Sequence, residues 1–246
     1  TVQLSVVSWN IHKGIGGIDR RYRIDRVISV LAGVAPDIAL LQEVTDGLPR
    51  AHFHDQAALL AEALDMHHVA FGPQHRFSIG GYGNAILSRW PLSHIEHVDL
   101  TIGKRKKRGA IVAHCRLRFG EHTKSVVLCN LHLGLAGSER DQQLERFLSC
   151  GPITRLHADT AVVVGGDLND LWGSLGPRFL DPAGFSRVGR MVNTFPAAMP
   201  IRPLDGIFVR GNFRSRACRS LYDPLTRQAS DHLPLFCELD LRPHDS

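Results

Sequence analysis

The segment Ala161-Val-Val-Val-Gly-Gly-Asp-Leu-Asn169 joins a short apolar run to two glycines and two polar side chains. A run of this length, rich in β-branched residues, is typical of a buried strand. Gly165 and Gly166 permit a close approach of the backbone, and an extended chain after them would point Asp167 and Asn169 to the same side. The segment therefore predicts a buried strand that presents a carboxylate and an amide to one ligand.

Other apolar runs along the chain also lead to polar side chains. The strand-like run at residues 2–11 reaches Asn10, and the run at residues 38–41 delivers Glu43. Any one of these residues has a simpler explanation, because Asp and Asn are common in turns and a single His is usually structural. The joint pattern favours a functional site. Its members are Asn10, Glu43, His132, Asp167, Asn169, Asp205, Asp231 and His232.

The alternation of side chains in residues 124–133 supports a polar cleft. It places apolar residues on one face and Asn130 with His132 on the other, which is costly unless the second face lines a wet, functional cleft. The pattern as a whole offers oxygen and imidazole donors without cysteine. Such a donor set suits Mg²⁺ or Mn²⁺, which prefer oxygen ligands, over structural zinc.

The composition is that of an ordinary soluble domain. The chain has 246 residues, of which 43% are hydrophobic and 22% charged, and we expect one continuous domain over residues 1–246 that acts as a monomer. No stretch approaches the roughly 18–20 apolar residues of a membrane-spanning helix, and the first residues lack the order of a signal peptide. We therefore expect a cytoplasmic protein, while a signal peptide that has already been removed stays compatible with the sequence.

Cysteine content and net charge add two further expectations. The five cysteines form no C-x-x-C pair, so neither a disulfide framework nor a zinc knuckle is expected. The formal net charge is +5 and the isoelectric point is near 9.2. A basic protein attracts polyanions, so the charge directs the search for substrates toward phosphate-bearing molecules.

Periodicity predicts more strands than helices. The first helix ends at Gly33, the second covers residues 55–66, and the third begins with a capping box formed by Ser138 and Asp141. Strands are predicted at residues 2–11, 38–41, 84–88, 110–119, 124–133, 161–165, 205–209 and 235–241. This ratio favours an α/β sandwich, in which a few helices cover β-sheets, over a doubly wound parallel sheet.

Seven short motifs are spread over nearly the whole chain. They are Trp9-Asn10, Gln42-Glu43, Gly83-Asn-Ala-Ile-Leu-Ser-Arg89, Asn130-Leu-His132, Gly166-Asp-Leu-Asn169, Leu204-Asp-Gly-Ile-Phe208 and Ser230-Asp-His232. In this order they resemble the motifs of the endonuclease/exonuclease/phosphatase superfamily, and residues 10–14 and 132–135 resemble its compact bacterial members. The resemblance implies a DNase I-like fold: a four-layered α/β sandwich with two packed, mainly antiparallel β-sheets flanked by helices.

The resemblance also implies a reaction, the hydrolysis of a phosphoester by in-line attack of water with the help of Mg²⁺ or Mn²⁺. In this scheme Glu43, with Asn10 and Asp231, holds the metal ion. The number of metal ions, one or two, stays open, as does the choice between endonucleolytic and exonucleolytic cleavage.

The same resemblance assigns catalytic roles to five residues. Asp167 positions or deprotonates the attacking water, and Asn169 donates hydrogen bonds to a non-bridging phosphate oxygen. His132 and His232 face the phosphate as donors. A hydrogen bond donated by the His232 ring to Asp205 would fix the tautomer of the ring and favour its charged form. The group that protonates the leaving oxygen stays open.

Two further features bear on substrate binding. The basic run Lys-Arg-Lys-Lys-Arg at residues 104–108 is either a solvated loop or a contact for a polyanion. Arg108 resembles the arginine that precedes a central strand in the superfamily, so it is expected to reach the phosphate. Asn84 is expected to line the cleft, with a turn amide as the other reading.

We therefore predict a metal-dependent phosphodiesterase that acts on DNA or another nucleic acid. The alternatives are a phosphomonoesterase or a phospholipid phosphodiesterase, similar to a sphingomyelinase, with the same catalytic centre. A binding module without activity is disfavoured, because all eight polar positions at the strand ends are present.

Overall fold

The computed structural model describes residues 1–119 and 122–242. Its helices are Ile24–Val34 (α1), Gln56–Ala63 (α2), Gly137–Ser149 (α3), Gly151–Thr154 (α4) and Thr226–Ala229 (α5). Its strands are Val2–Asn10 (β1), Ile38–Asp46 (β2), His68–Arg76 (β3), Gly81–Ser88 (β4), Leu92–Asp99 (β5), Gly109–Phe119 (β6), His122–His132 (β7), Val162–Asp167 (β8), Ser186–Arg187 (β9), Asp205–Arg210 (β10), Phe213–Ser220 (β11) and Leu235–Leu241 (β12). Within these described residues, every helix is too short or too polar to cross a bilayer.

The strands form two six-stranded sheets. The first has the order β11-β12-β1-β2-β4-β3, and the second has the order β5-β6-β7-β8-β10-β9. The pairs β1–β2 and β7–β8 are parallel, and the other neighbouring pairs among the described strands are antiparallel. The predicted α/β sandwich with two mainly antiparallel sheets is therefore confirmed.

Four layers follow from apolar side chains on both faces of each sheet. Between the sheets, Leu40 and Ile86 of the first pack with Leu128 and Val163 of the second. Helices α1 and α2 cover the outer face of the first sheet, and α3 covers the outer face of the second. Burial on both faces explains why the central strands are nearly continuous apolar runs in the sequence.

Two local expectations are corrected. The N-cap of α3 is Ala136, which makes no capping hydrogen bond through its side chain, and Ser138 lies inside the helix. The predicted capping box is therefore wrong, because the helix begins a residue before Ser138. Cys218 and Cys237 face each other across β11 and β12 and form a disulfide. Residues 19 positions apart become neighbours only when these strands pair, so a spacing rule does not find them.

Candidate active site

The polar strand ends meet at one end of the sandwich because strand pairing brings them into register. Asn10 at the end of β1 pairs with Gln42 of β2, and Asp167 at the end of β8 pairs with both His132 of β7 and Asp205 of β10. A cleft of about 420 Å³ lies at this end of the sandwich. Its walls are formed by Asn10, Glu43, Lys106, Arg108, His132, Leu135, Asp167, Asn169, Leu171, Phe195, Arg202, Leu204, Asp231 and His232.

His232 and Asp205 form a buried ion pair at this cleft. Nδ1 of His232 lies 2.9 Å from Oδ2 of Asp205, which also accepts a 2.5 Å hydrogen bond from the hydroxyl of Thr194. Burial disfavours the charged ring, but Asp205 and Asp167 outweigh burial and raise the pKa of His232 to about 10. The ring is therefore an imidazolium at neutral pH, and its Nε2 lies 3.7 Å from Oδ2 of Asp167.

Asp167 lies between Asn10 and the two histidines. Its Oδ2 accepts a 3.0 Å hydrogen bond from Nδ2 of Asn10 and lies 3.4 Å from Nε2 of His132. Burial raises the pKa of the Asp167 carboxyl to about 6, although the charge of His232 opposes this. Burial, together with the charge of Arg108, lowers the pKa of His132 well below its ordinary value, so this ring is neutral. A carboxylate with such a pKa suits proton transfer near neutral pH.

Asn169 reaches the cleft through a turn. Its φ is +50°, and its backbone N–H donates to Oδ1 of Asp167 at 3.1 Å, as in an Asx turn. Gly166 is required just before the turn, because a Cβ at this position would collide with the carbonyl of Leu131. The extended backbone that would align the two side chains is therefore not present at Asn169. Asp167 and Asn169 nevertheless both line the cleft, because the turn replaces the strand alternation.

Glu43 is turned into the cleft by a β-bulge. The register of β2 against β4 shifts between Leu41 and Val44, and Glu43 itself has a φ of +54°. Its Oε2 forms an ion pair with Nζ of Lys13, a residue that sequence reasoning passed over. Burial opposes ionisation of Glu43, but the charge and hydrogen bond of Lys13 overcome it and lower the pKa to about 2. Glu43 is therefore ionised at neutral pH.

Ser230 holds the segment that carries Asp231 and His232 against the end of β1. Its hydroxyl donates to the carbonyl of Asn10 at 2.6 Å and accepts from the backbone N–H of His232 at 3.2 Å. Nε1 of Trp9 donates to the carbonyl of His232 at 2.8 Å. Ser230 and Trp9 therefore position the site without lining the cleft, and the signal for them in the sequence was their place in two of the motifs.

The guanidinium of Arg108 is a buried cation of the cleft. The residue is 4% exposed, and its Nε and Nη1 have no hydrogen-bond partner within the described part of the chain. The preceding residues 104–107 are exposed, and Lys106 among them lines the cleft. A buried donor without a partner costs free energy, so these N–H groups suit a ligand with anionic oxygens.

Asn84 and Asn130 lie between the sheets, below the cleft. Asn84 is fully buried and is absent from the cleft lining, and its Nδ2 donates to the carbonyls of Gly109 and Asn130 at 3.1 and 3.3 Å. Asn130 donates to the carbonyl of Leu41 and accepts from Nε2 of Gln42, both at 2.8 Å. The polar face of β7 is therefore satisfied by hydrogen bonds across the sandwich at Asn130 and reaches the cleft only at its end.

Among residues 1–119 and 122–242, two groups of side chains offer atoms that could hold a metal ion. In the first, ligand atoms lie within 4.8 Å of one another: Asp167, Asp205 and His232. Asp205 and Asp167 favour the protonated ring of His232, and a protonated ring has no free lone pair for a metal. The second group supplies oxygen donors in the same cleft: Asn10, Glu43 and Asp231. This set, with an ionised carboxylate in it, fits the chemistry of Mg²⁺ and Mn²⁺.

Comparison with known proteins agrees with this geometry. Residues 7–232 match the Endonuclease/Exonuclease/phosphatase family. The "Uncharacterized protein YbhP" of Escherichia coli (strain K12) is 30% identical over 248 residues, which cover 96% of each chain. An endonuclease/exonuclease/phosphatase from Beutenbergia cavernae DSM 12333 has a TM-score of 0.81 at 23% identity and covers 98% of this chain and 72% of its own. ANGEL2, a 2',3'-cyclic phosphatase, has a TM-score of 0.71 at 16% identity, with 96% and 95% covered.

The fold and the matching family together define the class of protein: the chain is an enzyme that hydrolyses phosphoric esters on an α/β sandwich. It belongs to the endonuclease/exonuclease/phosphatase family, whose match extends from Val7 in the first strand to His232 at the cleft.

Proposed function

We propose that this chain is a single-domain, Mg²⁺- or Mn²⁺-dependent phosphodiesterase. It cleaves DNA or another nucleic acid by in-line attack of water. The observation that carries the proposal is one cleft with two complementary buried groups. Arg108 brings N–H donors without a partner among the described residues, and Asp167 brings a carboxylate whose pKa is raised to about 6. The first group suits an anionic phosphate, and the second suits activation of water.

Substrate binding rests on Arg108, Asn169 and Lys106. Nε and Nη1 of Arg108, which have no partner among the described residues, bind phosphoryl oxygens. Asn169 uses one N–H of its amide on the carbonyl of Leu133 at 2.9 Å and offers the other to a non-bridging oxygen. Lys106 extends the positive charge to the rim of the cleft, where a longer polyanion continues.

The proton and charge steps rest on Asp167, His232 and His132. Asp167 orients the attacking water and accepts its proton, since Asn10 and the backbone of Asn169 hold the carboxylate in place. His232 stays protonated through Asp205 and stabilises the negative charge that develops on the phosphoryl oxygens. Neutral His132 donates one N–H toward the phosphoryl oxygens.

The oxygen donors of the cleft complete the site. Glu43, with Asn10 and Asp231, would hold a divalent ion that neutralises charge on the phosphoryl group and stabilises the leaving oxygen. Glu43→Gln is therefore expected to shift the Mn²⁺ dependence of turnover to higher concentrations, and an unchanged Mn²⁺ titration would remove Glu43 from the ligand set.

A substrate panel tests the proposal. The protein is incubated with plasmid DNA, a phospholipid and an inositol phosphate, with Mg²⁺, Mn²⁺ or EDTA, and the Asp167→Asn variant serves as the matched control. We expect cleavage of DNA that EDTA and the variant abolish. Failure to hydrolyse any of the three under either ion would contradict the proposal.

A phospholipid is the second candidate substrate because apolar side chains lie at the mouth of the cleft. Leu135 lines the cleft and is 74% exposed, and Leu171 lines it beside Trp172, which is 82% exposed. Exposed aliphatic residues next to a phosphate site suit the apolar part of an amphiphile. In the panel, hydrolysis of the phospholipid without cleavage of DNA would favour this candidate.

A further inference from the structure

Lys13 is a buried lysine held in an unusual backbone conformation next to the active site. It is 7% exposed, and the consecutive residues His12, Lys13 and Gly14 have φ angles of 46°, 62° and 72°. Left-handed backbone costs free energy at residues other than glycine, and it persists only where the surroundings enforce it. Two such residues in a row therefore indicate that the surrounding structure holds Lys13 in a fixed position.

Gln56 holds Lys13 and Glu43 together from below. This glutamine of α2 is fully buried, and its Nε2 donates to the carbonyl of Lys13 at 2.9 Å. Its Oε1 accepts the backbone N–H of Thr45 at 2.8 Å, two residues beyond Glu43. One side chain thus links the turn that carries the lysine to the bulge that carries the glutamate.

Within the described part of the chain, the ammonium group of Lys13 has two partners. Nζ forms the ion pair with Oε2 of Glu43, and both side chains are almost completely buried. The same Nζ lies 4.6 Å from the centre of the Tyr82 ring, which is stacked on His75 at 4.4 Å. A buried carboxylate requires a compensating cation, and the aromatic face keeps this cation in place. Lys13 is therefore built in as the counter-ion of Glu43.

We propose that the Lys13 ammonium and the divalent ion compete for the Glu43 carboxylate. Because Lys13 already supplies one positive charge at this carboxylate, we expect the chain to bind one metal ion and not two. The inference rests on the assignment of Glu43 as a metal ligand in the proposed function. Lys106 lies 5.9 Å from the same Tyr82 ring, and Arg108 lines the same cleft, so positive charge already surrounds Glu43. A second divalent ion would add to this repulsion.

Mn²⁺ binding without substrate tests the competition. Affinity and stoichiometry are measured by titration calorimetry for the parent and for Lys13→Met, with Lys107→Met as the control for loss of charge. Lys107 is exposed and is adjacent in sequence to residues that line the cleft. It has no ion pair with Glu43 in the described structure. We expect one Mn²⁺ per chain, and binding about tenfold or more tighter in Lys13→Met, because a competing charge is removed. Lys107→Met should bind like the parent.

Two further variants keep the inference testable if Lys13→Met fails to fold. Lys13→Gln removes the charge but keeps a polar group, so it should also tighten Mn²⁺ binding. Lys13→Arg keeps the charge and should stay close to the parent. In melting experiments, the neutral variants should be less stable than the parent without metal, and Mn²⁺ should raise their melting temperature by more than it raises that of the parent.

The outcomes separate this inference from the proposed function. Unchanged or weaker Mn²⁺ binding in the neutral variants that fold, or two Mn²⁺ ions per parent chain, would overturn the inference even if DNA is cleaved. Tighter binding in those variants would sustain it even if none of the substrates in the panel is hydrolysed, in which case only the proposed activity fails.

Discussion

His232 carries a positive charge at a place where burial alone would make the ring neutral. Two carboxylates produce this result, Asp205 at 2.9 Å from Nδ1 and Asp167 at 3.7 Å from Nε2. Only 2% of Asp205 is exposed, so solvent screens the pair little. The charge on His232 is thus a property of three residues, and each of them depends on the other two.

Removal of either reactive group should abolish most turnover while the fold remains. Asp167→Asn removes the group that accepts the proton of water, and His232→Ala removes a donor that stabilises negative charge. Loss of one well-placed donor of this kind typically costs about 10²–10³-fold in kcat, and loss of the base is expected to cost at least as much. Steady-state kinetics on any substrate found active measures the effect, with circular dichroism as the check on folding. Parent-like turnover in a folded variant would exclude that residue from the mechanism.

His75 should make the stability of the protein depend on pH. Burial of the ring and the charges of Lys106 and Arg108 lower its pKa to about 4 in the folded protein, against about 6.5 in an unfolded chain. Between these values the unfolded state binds more protons, so stability is complete above about pH 6.5 and falls as the pH drops toward 4. Because the ring is only half-buried, solvent screens part of this effect, and the expected loss of stability is on the order of 1 kcal/mol.

Urea unfolding between pH 4 and 7 measures this dependence in the parent and in His75→Gln. The variant lacks the titrating group, so the difference in unfolding free energy between the two proteins should change by the stated amount across this range. A difference that stays constant with pH would show that the ring titrates normally.

Among the secondary-structure elements, edge strands and central strands behave differently. The four strands that the sequence did not predict are β3, β5, β9 and β11, and these are the four edges of the two sheets. The eight central strands were all predicted. An edge strand pairs on one side only and is often polar, as in Phe213–Ser220 with its three arginines, whereas a central strand needs apolar residues on both faces. Apolar content thus predicted the central strands of each sheet but not its edge strands.

The basic loop at residues 104–107 should set the salt dependence of binding to nucleic acid. Each phosphate neutralised adds about 0.7–0.9 to the slope of log affinity against log salt. Replacement of these four residues by neutral ones should therefore flatten the slope, with the smallest share from Arg105, which is already paired with Glu139 at 3.4 Å. Binding to a short DNA duplex at several salt concentrations measures the slopes.

Arg108 is the matched contrast, because it is buried at the cleft while the loop before it is exposed. Arg108→Ala should depress turnover even on the smallest phosphodiester, whereas the loop variant should act only on long polyanions. If the loop variant bound DNA like the parent at every salt concentration, the preference for nucleic acid would be lost and a small or lipid substrate would take its place.

In the whole molecule, the site depends on contacts between distant parts of the chain. Asn10 and Asp167 are 157 positions apart and share a hydrogen bond, and Ser230 reaches Asn10 across 220 positions. The two sheets are joined just below the cleft by Asn130, which bonds to Leu41 and Gln42 of the opposite sheet. A shift of one sheet against the other would therefore disperse the site, which explains why buried amides lie between the sheets at this end.

The amino-acid sequence alone was sufficient for the α/β sandwich, its central strands and the polar residues at their ends. Periodicity and turn chemistry are local properties, and they are visible in a few consecutive residues. The pairing of Lys13 with Glu43, the charge on His232, the position of Asn84 between the sheets and the disulfide of Cys218 required the tertiary structure. Each depends on burial and on a partner from another part of the chain, and neither is encoded within a local window.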